Sequence, residues 1–391
     1  MTREMTVPDP TRVAKAQRSP FLGPRILFFS GGTALRETSQ ALINYTHNSI
    51  HMVTPFDSGG SSAVLRRYFK MPSVGDLRNR LMALADRSLY GFPEIFEIVA
   101  YRLPKTATPE ELRCELIALA CGSHPLMTRV PDSMARIIRH HLHIFDNAAG
   151  PDFDLRGASV GNLILTAGYL NSGRHLDPIV SIYSKLVQVR GEVRNLLNAD
   201  LQLMAVLKDG THLVGQHLMT GKEAPPITQP IEDLFLVDTT KKNCMVLPAI
   251  DDKIRTAILS ADLICYPFGS FFSSVIANLL PAGVGQAVSE TPCPKVFIPN
   301  TLPDPECAGL SLPGQVHTLL RHLRADAPER ITPEDVLNLV LIDPAITYAG
   351  TKNPEHDLSA LGLQVIKTPL TKPGTGIIDP HLLCQALVSL T

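Results

Sequence analysis

The sequence of 391 residues shows no marked excess of either charge, since 36 lysines and arginines balance 37 aspartates and glutamates to a formal net charge of -1. A general nucleic-acid binder carries a clear basic excess, so we predict that this protein is not one. No uninterrupted apolar run reaches the roughly 18–20 residues that span a bilayer, so no membrane segment is expected. Binding of a small phosphorylated ligand through a few placed charges is compatible with this composition.

Seven cysteines are scattered along the chain without a single C-x-x-C pair. An odd, widely spaced set of this kind predicts neither a disulfide framework nor a structural zinc site. The amino terminus, Met1-Thr2-Arg3-Glu4, lacks an apolar core followed by a small-residue cleavage site, so it does not resemble a signal peptide. We therefore expect a cytoplasmic protein.

What the sequence does contain is a strand–turn–helix–strand pattern that starts near residue 25. Residues 26–29 are a short apolar run, residues 30–33 read Ser-Gly-Gly-Thr, a helical pattern follows, and residues 51–54 form a second short run. This is the pattern of a βαβ unit, which implies a parallel sheet covered by helices. With 45% hydrophobic residues, the chain has the apolar share of a globular protein.

The remaining segments differ in their patterns. Residues 1–24 are polar and contain several prolines, and we predict a loosely ordered lead-in there, followed by a single α/β domain over residues 25–391. Nearly everything between residues 75 and 195 has helical character, with a helical insertion at about residues 89–153. Further predicted strands lie at 201–207 and 211–216, which form a hairpin around Asp209-Gly210, and at 234–237, 262–266, 295–298 and 364–366. Further predicted helices lie at 271–280, 332–341 and 380–389.

Two glycine turns each follow an apolar run and precede a predicted helix. The first is Gly31-Gly32-Thr33 and the second is Gly269-Ser270. The N–H groups of a first helical turn have no partner inside the helix, and glycine lets a phosphate approach them closely. Both turns are candidate phosphate sites, although ordinary tight turns have the same sequence pattern.

Neither turn matches a common nucleotide-binding fingerprint. The chain contains no G-x-x-x-x-G-K-[ST] and no G-x-G-x-x-G. ATP hydrolysis of the P-loop type is therefore disfavoured.

A third cluster, residues 54–62, combines a carboxylate, two glycines and several hydroxyls in the junction after the second strand. Asp57 is a candidate ligand for Mg²⁺ or a group that orients a ligand hydroxyl. Gly59, Gly60 and Ser61 offer backbone amides and a hydroxyl to an oxyanion. The same segment would also serve as the N-cap of the following helix, and both interpretations stay open.

Three more side chains are candidates for the lining of a pocket. Arg78 and Asn79 lie at the start of a predicted helix, where Arg78 can clamp a phosphate and Asn79 can bind a ligand edge, unless this is a solvated helix start. Asn162 lies in an otherwise apolar helix, and a buried amide needs a ligand or a neighbouring backbone as its partner. His140 and His143 share a helix face, but no acidic or cysteine partner lies at ligand spacing, so no metal site is expected there.

These segments, in this order, resemble the CofD-like family. The resemblance rests on Ser-Gly-Gly-Thr at 30–33, Asp-x-Gly-Gly-Ser-Ser at 57–62, Gly-Asp-x-Arg-Asn at 75–79, Gly-Asn-Leu at 161–163 and Gly-Ser-x-x-x-Ser at 269–274. The family contains 2-phospho-L-lactate transferases of deazaflavin coenzyme biosynthesis and YvcK-type gluconeogenesis factors. The similarity spans most of the chain, from about residue 25 to the last predicted helix.

The resemblance implies a Rossmann-like three-layer α/β core with a mainly parallel sheet, a helical insertion, and a nucleoside-diphosphate-linked ligand at the sheet edge. The transferase moves a phospholactyl group from a guanosine diphosphate donor to a deazaflavin acceptor with Mg²⁺ and releases GMP. Carried over residue by residue, the phosphate contacts would come from Gly31, Gly32, Thr33, Gly269 and Ser270. Asp57 would lie at the acceptor and the metal. Arg78, the second candidate catalytic residue, would line the pocket with Asn79 and Asn162.

Two departures from the family pattern leave the function open. Phe268 stands where the family more usually has a glycine and narrows the approach to the backbone, and Ser58 stands where YvcK-type proteins usually have a second aspartate. We keep two main hypotheses: a transferase that uses Mg²⁺, and a non-catalytic YvcK-type regulatory protein that binds a nucleotide sugar or a dinucleotide. A scaffold with a decayed site is a third. A homodimer is compatible with this architecture, but no residue argues for one.

Overall fold

The computed structural model describes residues 6–87, 92–221 and 224–391. Its strands are β1 Ile26–Ser30, β2 Ile50–Val53, β3 Glu192–Asn195, β4 Gln202–Leu207, β5 His212–Val214, β6 Ile231–Asp238, β7 Cys244–Val246, β8 Leu263–Tyr266, β9 Lys295–Phe297, β10 Leu339–Ile342 and β11 Gln364–Lys367. Its helices are α1 Pro10–Arg18, α2 Arg36–Leu42, α3 Gly60–Phe69, α4 Gly75–Ala83, α5 Pro93–Ala100, α6 Pro109–Cys121, α7 Asp132–Ala149, α8 Val160–Asn171, α9 Asp177–Leu186, α10 Asp252–Leu259, α11 Val284–Glu290, α12 Leu312–Leu323, α13 Pro333–Val336, α14 Pro354–Ser359 and α15 Pro380–Ser389.

The large sheet confirms the predicted α/β class. Its seven strands are all parallel and lie in the order β3-β2-β1-β8-β9-β10-β11. Every residue of β1, β2 and β8 is buried, as expected for parallel strands that are covered on both faces. The chain runs outward from β1 through β2 to β3, then returns beside β1 as β8, so the strand order reverses between β1 and β8.

Alternate residues of the central strands pack into different layers. Ile26 and Phe28 of β1 face a core that includes residues of α1, α2 and α15. Leu27 and Phe29 face the opposite core, which includes residues of α10, α11 and α12. Because successive side chains of a strand point to opposite faces, the sheet is covered on both sides and forms the middle of three layers.

The helices α3 to α9 lie between β2 and β3 in the chain and share a third core. In α7, one face packs into this core, since Ile138, Leu142 and Phe145 are fully buried. The predicted start of the insertion, at about residue 89, lies outside the described residues. The packed helices continue to Leu186, beyond the predicted end near residue 153.

A small antiparallel sheet has the strand order β5-β4-β6-β7. The hairpin of β4 and β5 confirms the predicted Asp-Gly turn, with Gly210 at φ +83°. Leu203 of β4 and Leu236 of β6 belong to the same core as Phe29 of β1, so this sheet packs against one face of the parallel sheet.

Three segments differ from the sequence-based expectation. The lead-in contains α1, which Asp9 caps and which packs on α15, where the Arg12 guanidinium donates to the Ser389 carbonyl. Residues 339–341, the end of a predicted helix, belong to the buried strand β10, since α13 stops at Val336. The edge strand β3 lies in a segment that was predicted to be helical.

Among the helices of the described residues, none has both the length and the apolar character needed to cross a bilayer.

Candidate functional site

A cavity of about 390 Å³ opens beyond the carboxyl ends of β1 and β8, where the strand order reverses. Open α/β sheets bind their ligands at such a switch point. Every candidate residue from the sequence lines this cavity, namely Gly31, Gly32, Thr33, Asp57, Gly59, Gly60, Ser61, Arg78, Asn79, Asn162, Gly269 and Ser270. The structure thus brings the five sequence segments together, while the role of each residue stays a prediction.

The loop after β1, residues 31–35, lines the cavity. Within the described part of the chain, the N–H groups of residues 31–34 have no hydrogen-bond acceptor. A Cβ at Gly32 would lie 2.7 Å from the Cα of Asp76, so close packing against α4 requires glycine there. One at Gly31 would lie 2.5 Å from Ser274 Oγ, which would have to rotate away. Successive unpaired N–H groups of this kind form a site suited to an anion.

The loop after β8 differs, because side chains of the protein accept hydrogen bonds from several of its amides. The Gly269 N–H donates to Asn300 Oδ1 at 2.8 Å, and the Phe271 N–H donates to Asp304 Oδ2 at 2.8 Å. The Ser273 N–H donates to Glu306 Oε2 at 2.7 Å. A phosphate at this loop would compete with Asn300 and meet two carboxylates close behind it. The Asp76 carboxylate also lies beside Gly32, so the two loops differ mainly in their amides, of which more are without an acceptor after β1.

Glu306 is the most deeply buried of these acceptors, with 1% of its surface exposed. Burial raises the pKa of Glu306 to about 7, and the nearby Asp304 carboxylate adds to this increase. The Ser273 N–H and hydroxyl donors oppose it. The loop after β8 therefore donates hydrogen bonds to a buried carboxylate whose pKa is about 7.

Asp57 lies in a loop whose backbone is held by hydrogen bonds from Arg66. Its Oδ1 accepts a hydrogen bond from the Gly59 N–H at 3.0 Å. The buried Arg66 guanidinium donates to the carbonyl oxygens of Phe56 and Asp57 at 3.1 and 3.3 Å, and forms a 2.8 Å ion pair with Asp200. These contacts hold the backbone of the Asp57 loop in place.

Arg78 lies on one side of the cavity and is held by neutral groups. Its guanidinium donates to Ser159 Oγ at 2.8 Å and to Asn79 Oδ1 at 2.6 Å. Burial is the main cause that lowers the pKa of Arg78. Since an arginine guanidinium is not deprotonated in proteins, the side chain remains a cation at neutral pH.

Asn162 and Ser61 meet beside Arg78. The Asn162 side-chain amide donates to Ser61 Oγ at 3.3 Å, and its Oδ1 is buried without a partner among the described residues. A buried amide oxygen without a partner is costly, so a ligand donor at this place would be favourable. Arg102, which the sequence analysis missed, donates to the same Ser61 Oγ at 3.2 Å and adds a second cation to this side.

The side chains that sequence reasoning missed come from segments without a local motif. Besides Arg102, they are Gln216, His217 and Thr220, which follow the small sheet and line the cavity. Ser58 Oγ lies 2.8 Å from His217 Nδ1 and accepts a hydrogen bond from the His217 N–H at 3.1 Å. Because the hydroxyl accepts from the backbone, its own proton can go to Nδ1, which leaves the ring proton on Nε2.

A resident metal site made by the protein alone is absent from the described residues, where no group of three or more His, Cys, Asp or Glu could hold an ion. His141 is buried and pairs with the Ile137 carbonyl. The carboxylates of Asp57 and Asp76 both line the cavity. One or two carboxylates together with ligand phosphates are a usual environment for Mg²⁺, so this donor set fits a metal that arrives with its ligand.

Comparison with known sequences gives a family match. The sequence model described as 2-phospho-L-lactate transferase CofD matches residues 26–371. The gluconeogenesis factor of Bacillus subtilis is 28% identical over 373 residues, which are 94% of this chain and 98% of that protein. A putative gluconeogenesis factor of Nostoc sp. is 28% identical over 314 residues, 80% of this chain and 54% of that longer protein.

Comparison with solved structures supports the fold. The crystal structure of a UPF0052 family protein from Bacillus halodurans has a TM-score of 0.68 at 21% sequence identity, and the similarity covers 94% of this chain and 99% of that chain. At this level of identity, the likeness concerns the architecture alone.

Proposed function

This chain belongs to the 2-phospho-L-lactate transferase CofD family, and we propose on that basis that its cavity binds a nucleoside-diphosphate-linked small molecule. The observation that carries the proposal is the row of N–H groups at residues 31–34, beside the cavity, for which the described part of the chain offers no acceptor. Backbone amides neutralise phosphate oxygens without adding net charge, which agrees with the near-zero charge of the chain. Arg78 and Arg102 supply cations on the other side.

The role that we favour is regulatory binding of the YvcK type, without turnover. Two observations support it. The relative from Bacillus subtilis named gluconeogenesis factor matches nearly the full length of this chain. Of the amides after β8, those of Gly269, Phe271 and Ser273 already donate to side chains of the protein, which leaves fewer of them to a ligand phosphate than the loop after β1 offers.

The second candidate is group transfer, which the carboxylates of Asp57 and Asp76 at the cavity support. In this reaction, an acceptor hydroxyl oxygen, for example of a deazaflavin-like molecule, bonds to the distal phosphorus of the donor. The bridging P–O bond breaks, a nucleoside monophosphate leaves, and Asp57 takes the hydroxyl proton. Mg²⁺ bound with the phosphates would neutralise their charge, and Arg78 would hold the leaving phosphate.

A ligand panel tests the proposal and separates its two forms. Melting temperatures are measured with GDP, UDP-sugars, NAD(P) and deazaflavins, with and without Mg²⁺, and the same mixtures are searched for product by mass spectrometry. A shift with no product supports regulatory binding. Product formation supports transfer. No shift with any ligand contradicts the binding proposal and favours a scaffold.

Asp57→Asn sharpens the test of transfer. If Asp57 takes the proton, this variant loses turnover by roughly 10²- to 10⁴-fold while its fold is retained. Asp154→Asn is the matched control, since Asp154 lies half-exposed outside the cavity in an ion pair with Arg156. Unchanged turnover in Asp57→Asn would refute the role given to Asp57.

A further inference from the structure

Arg80 is a fully buried arginine beneath the loop after β1. It lies in the middle of α4, and none of its surface is exposed. A buried cation is expensive unless it is paired and hydrogen-bonded. The hydrogen-bond partners of this guanidinium therefore indicate its role.

The partners of Arg80 all belong to the end of β1, the glycine loop and the start of α2. Its Nη2 donates to the Gly31 carbonyl at 2.6 Å and to Ser30 Oγ at 3.2 Å. Its Nη1 donates to the Leu35 carbonyl at 3.0 Å and to Ser39 Oγ. One rigid fork thus connects both ends of the loop.

This arrangement sets the direction of the peptide between Gly31 and Gly32. In a trans peptide the C=O and the N–H point in opposite directions. Since the Gly31 carbonyl points to Arg80, the Gly32 N–H points away from it, and this N–H has no acceptor among the described residues. The cation also polarises the peptide, because a charged donor strengthens the dipole of its acceptor.

The charge of Arg80 is surrounded by neutral hydrogen-bond acceptors, with the Asp76 carboxylate near by. Its Nε is buried without a partner in the described ranges. An anion on the Gly32 N–H would gain from this buried positive charge one peptide away, which would offset the repulsion by the Asp76 carboxylate beside Gly32.

We propose that Arg80 is a positioning residue that orients and polarises the Gly31–Gly32 peptide for a ligand diphosphate. This role rests on the proposed function, since it names the group that makes the loop after β1 receptive to phosphate. It predicts that Arg80 contributes to affinity for the diphosphate part of a ligand and not for its nucleoside part.

The test compares UDP with uridine and GDP with guanosine by calorimetry or ligand-observed NMR. In Arg80→Met, the ratio of diphosphate affinity to nucleoside affinity falls by at least about tenfold, the loss of one hydrogen bond to a charged group. In Arg80→Lys, which keeps the charge but not the fork, the ratio falls less. Arg324→Met is the matched control, because Arg324 also donates to backbone carbonyls and lies outside the cavity.

The readout separates positioning from general stability. A lower melting temperature with an unchanged affinity ratio would overturn the proposal and leave Arg80 a structural residue. If Arg80→Met does not fold, Arg80→Lys decides, since an unchanged ratio in that variant overturns the proposal as well. A wild-type protein that binds neither diphosphate contradicts the proposed function itself, whereas binding with no effect in either variant contradicts only the role of Arg80.

Discussion

Replacing Gly32 by alanine introduces a methyl group between the loop after β1 and the start of α4. The new Cβ would lie 2.7 Å from the Cα of Asp76, about 0.7 Å closer than the 3.4 Å at which ordinary van der Waals contact begins. The Asp76 side chain can rotate away from the methyl group, but its backbone cannot. Either the loop or the first turn of α4 has to move by a comparable distance.

Two effects of different size follow from this movement. Overpacking of a closely packed site typically lowers the free energy of unfolding by about 1–3 kcal/mol. The displaced Gly32 N–H also loses its alignment with a bound phosphate. A hydrogen bond to a charged group contributes about 1.5–3 kcal/mol, so affinity for a nucleoside diphosphate should fall roughly ten- to a hundredfold.

Denaturant unfolding and titration calorimetry measure the two effects separately. Gly173→Ala is the matched control, because Gly173 has φ +61° and open space around it, and it does not line the cavity. That variant should lose about 1–2 kcal/mol through backbone strain and keep the affinity for the ligand. Wild-type affinity in Gly32→Ala would refute the assignment of the anion to this loop. Wild-type stability would refute the steric reasoning.

Two further predictions concern the other walls of the cavity. Because burial raises the pKa of Glu306 to about 7 in the folded protein, above its usual 4.5, the ionised group costs roughly 3 kcal/mol of stability once the pH has risen from about 4.5 through 7. The free energy of unfolding of Glu306→Gln, relative to that of wild type, should therefore rise by about that amount between about pH 4.5 and pH 8, as measured by denaturant unfolding. A difference between the two proteins that does not change with pH would contradict this prediction. For Ser58→Ala, we expect the free energy of unfolding to fall by about 1–2 kcal/mol, because the ring and the backbone N–H of His217 lose their hydrogen-bond partner. Nitrogen NMR of wild-type His217 should show the proton on Nε2, and a proton on Nδ1 would contradict a hydrogen bond donated by the Ser58 hydroxyl to the ring.

The central part of the fold could be predicted because its signals are local. Residues 26–29 and 262–266 are short apolar runs next to glycine turns, and both become buried strands. The strand β10 was predicted as helix, since Pro333 and the acidic residues after it are helix-start signals and periodicity alone does not separate a short buried strand from a helix. Pairing with β9 and β11 decides its conformation, and the sequence does not show that pairing.

The polar edge strand β3 and the helix α1 were missed for related reasons. Glu192 and Arg194 give β3 no apolar alternation, and the strand forms because its backbone pairs with β2. The helix α1 has a capping Asp9 and a proline at its start, but its sequence is polar. It is held by packing against α15, and the sequence does not show that contact.

The sequence predicted those residues of the candidate site that belong to strand–glycine–helix junctions. Such junctions meet at one edge of a parallel sheet, so Gly31, Asp57 and Gly269 could be brought together by reasoning. Arg102 and His217 carry no such signal, because their position depends on how the helical segment and the small sheet pack. The occupation of the amides after β8 by Asp304 and Glu306 also depends on tertiary structure.

The pairing of β1 with β8 has a consequence for the order of assembly. The Arg25 N–H and the Asp262 carboxylate meet across 237 positions of sequence, so the two loops on either side of the cavity are made at very different times during synthesis. Closing so long a stretch of chain is a slow, non-local event. The glycine loop at residues 31–34 is synthesised early, yet its opposite wall arrives only when β8 is inserted beside β1. A ligand that spans both walls can therefore bind only a chain whose sheet is closed, and by mass action it stabilises that closed state over every partly folded one.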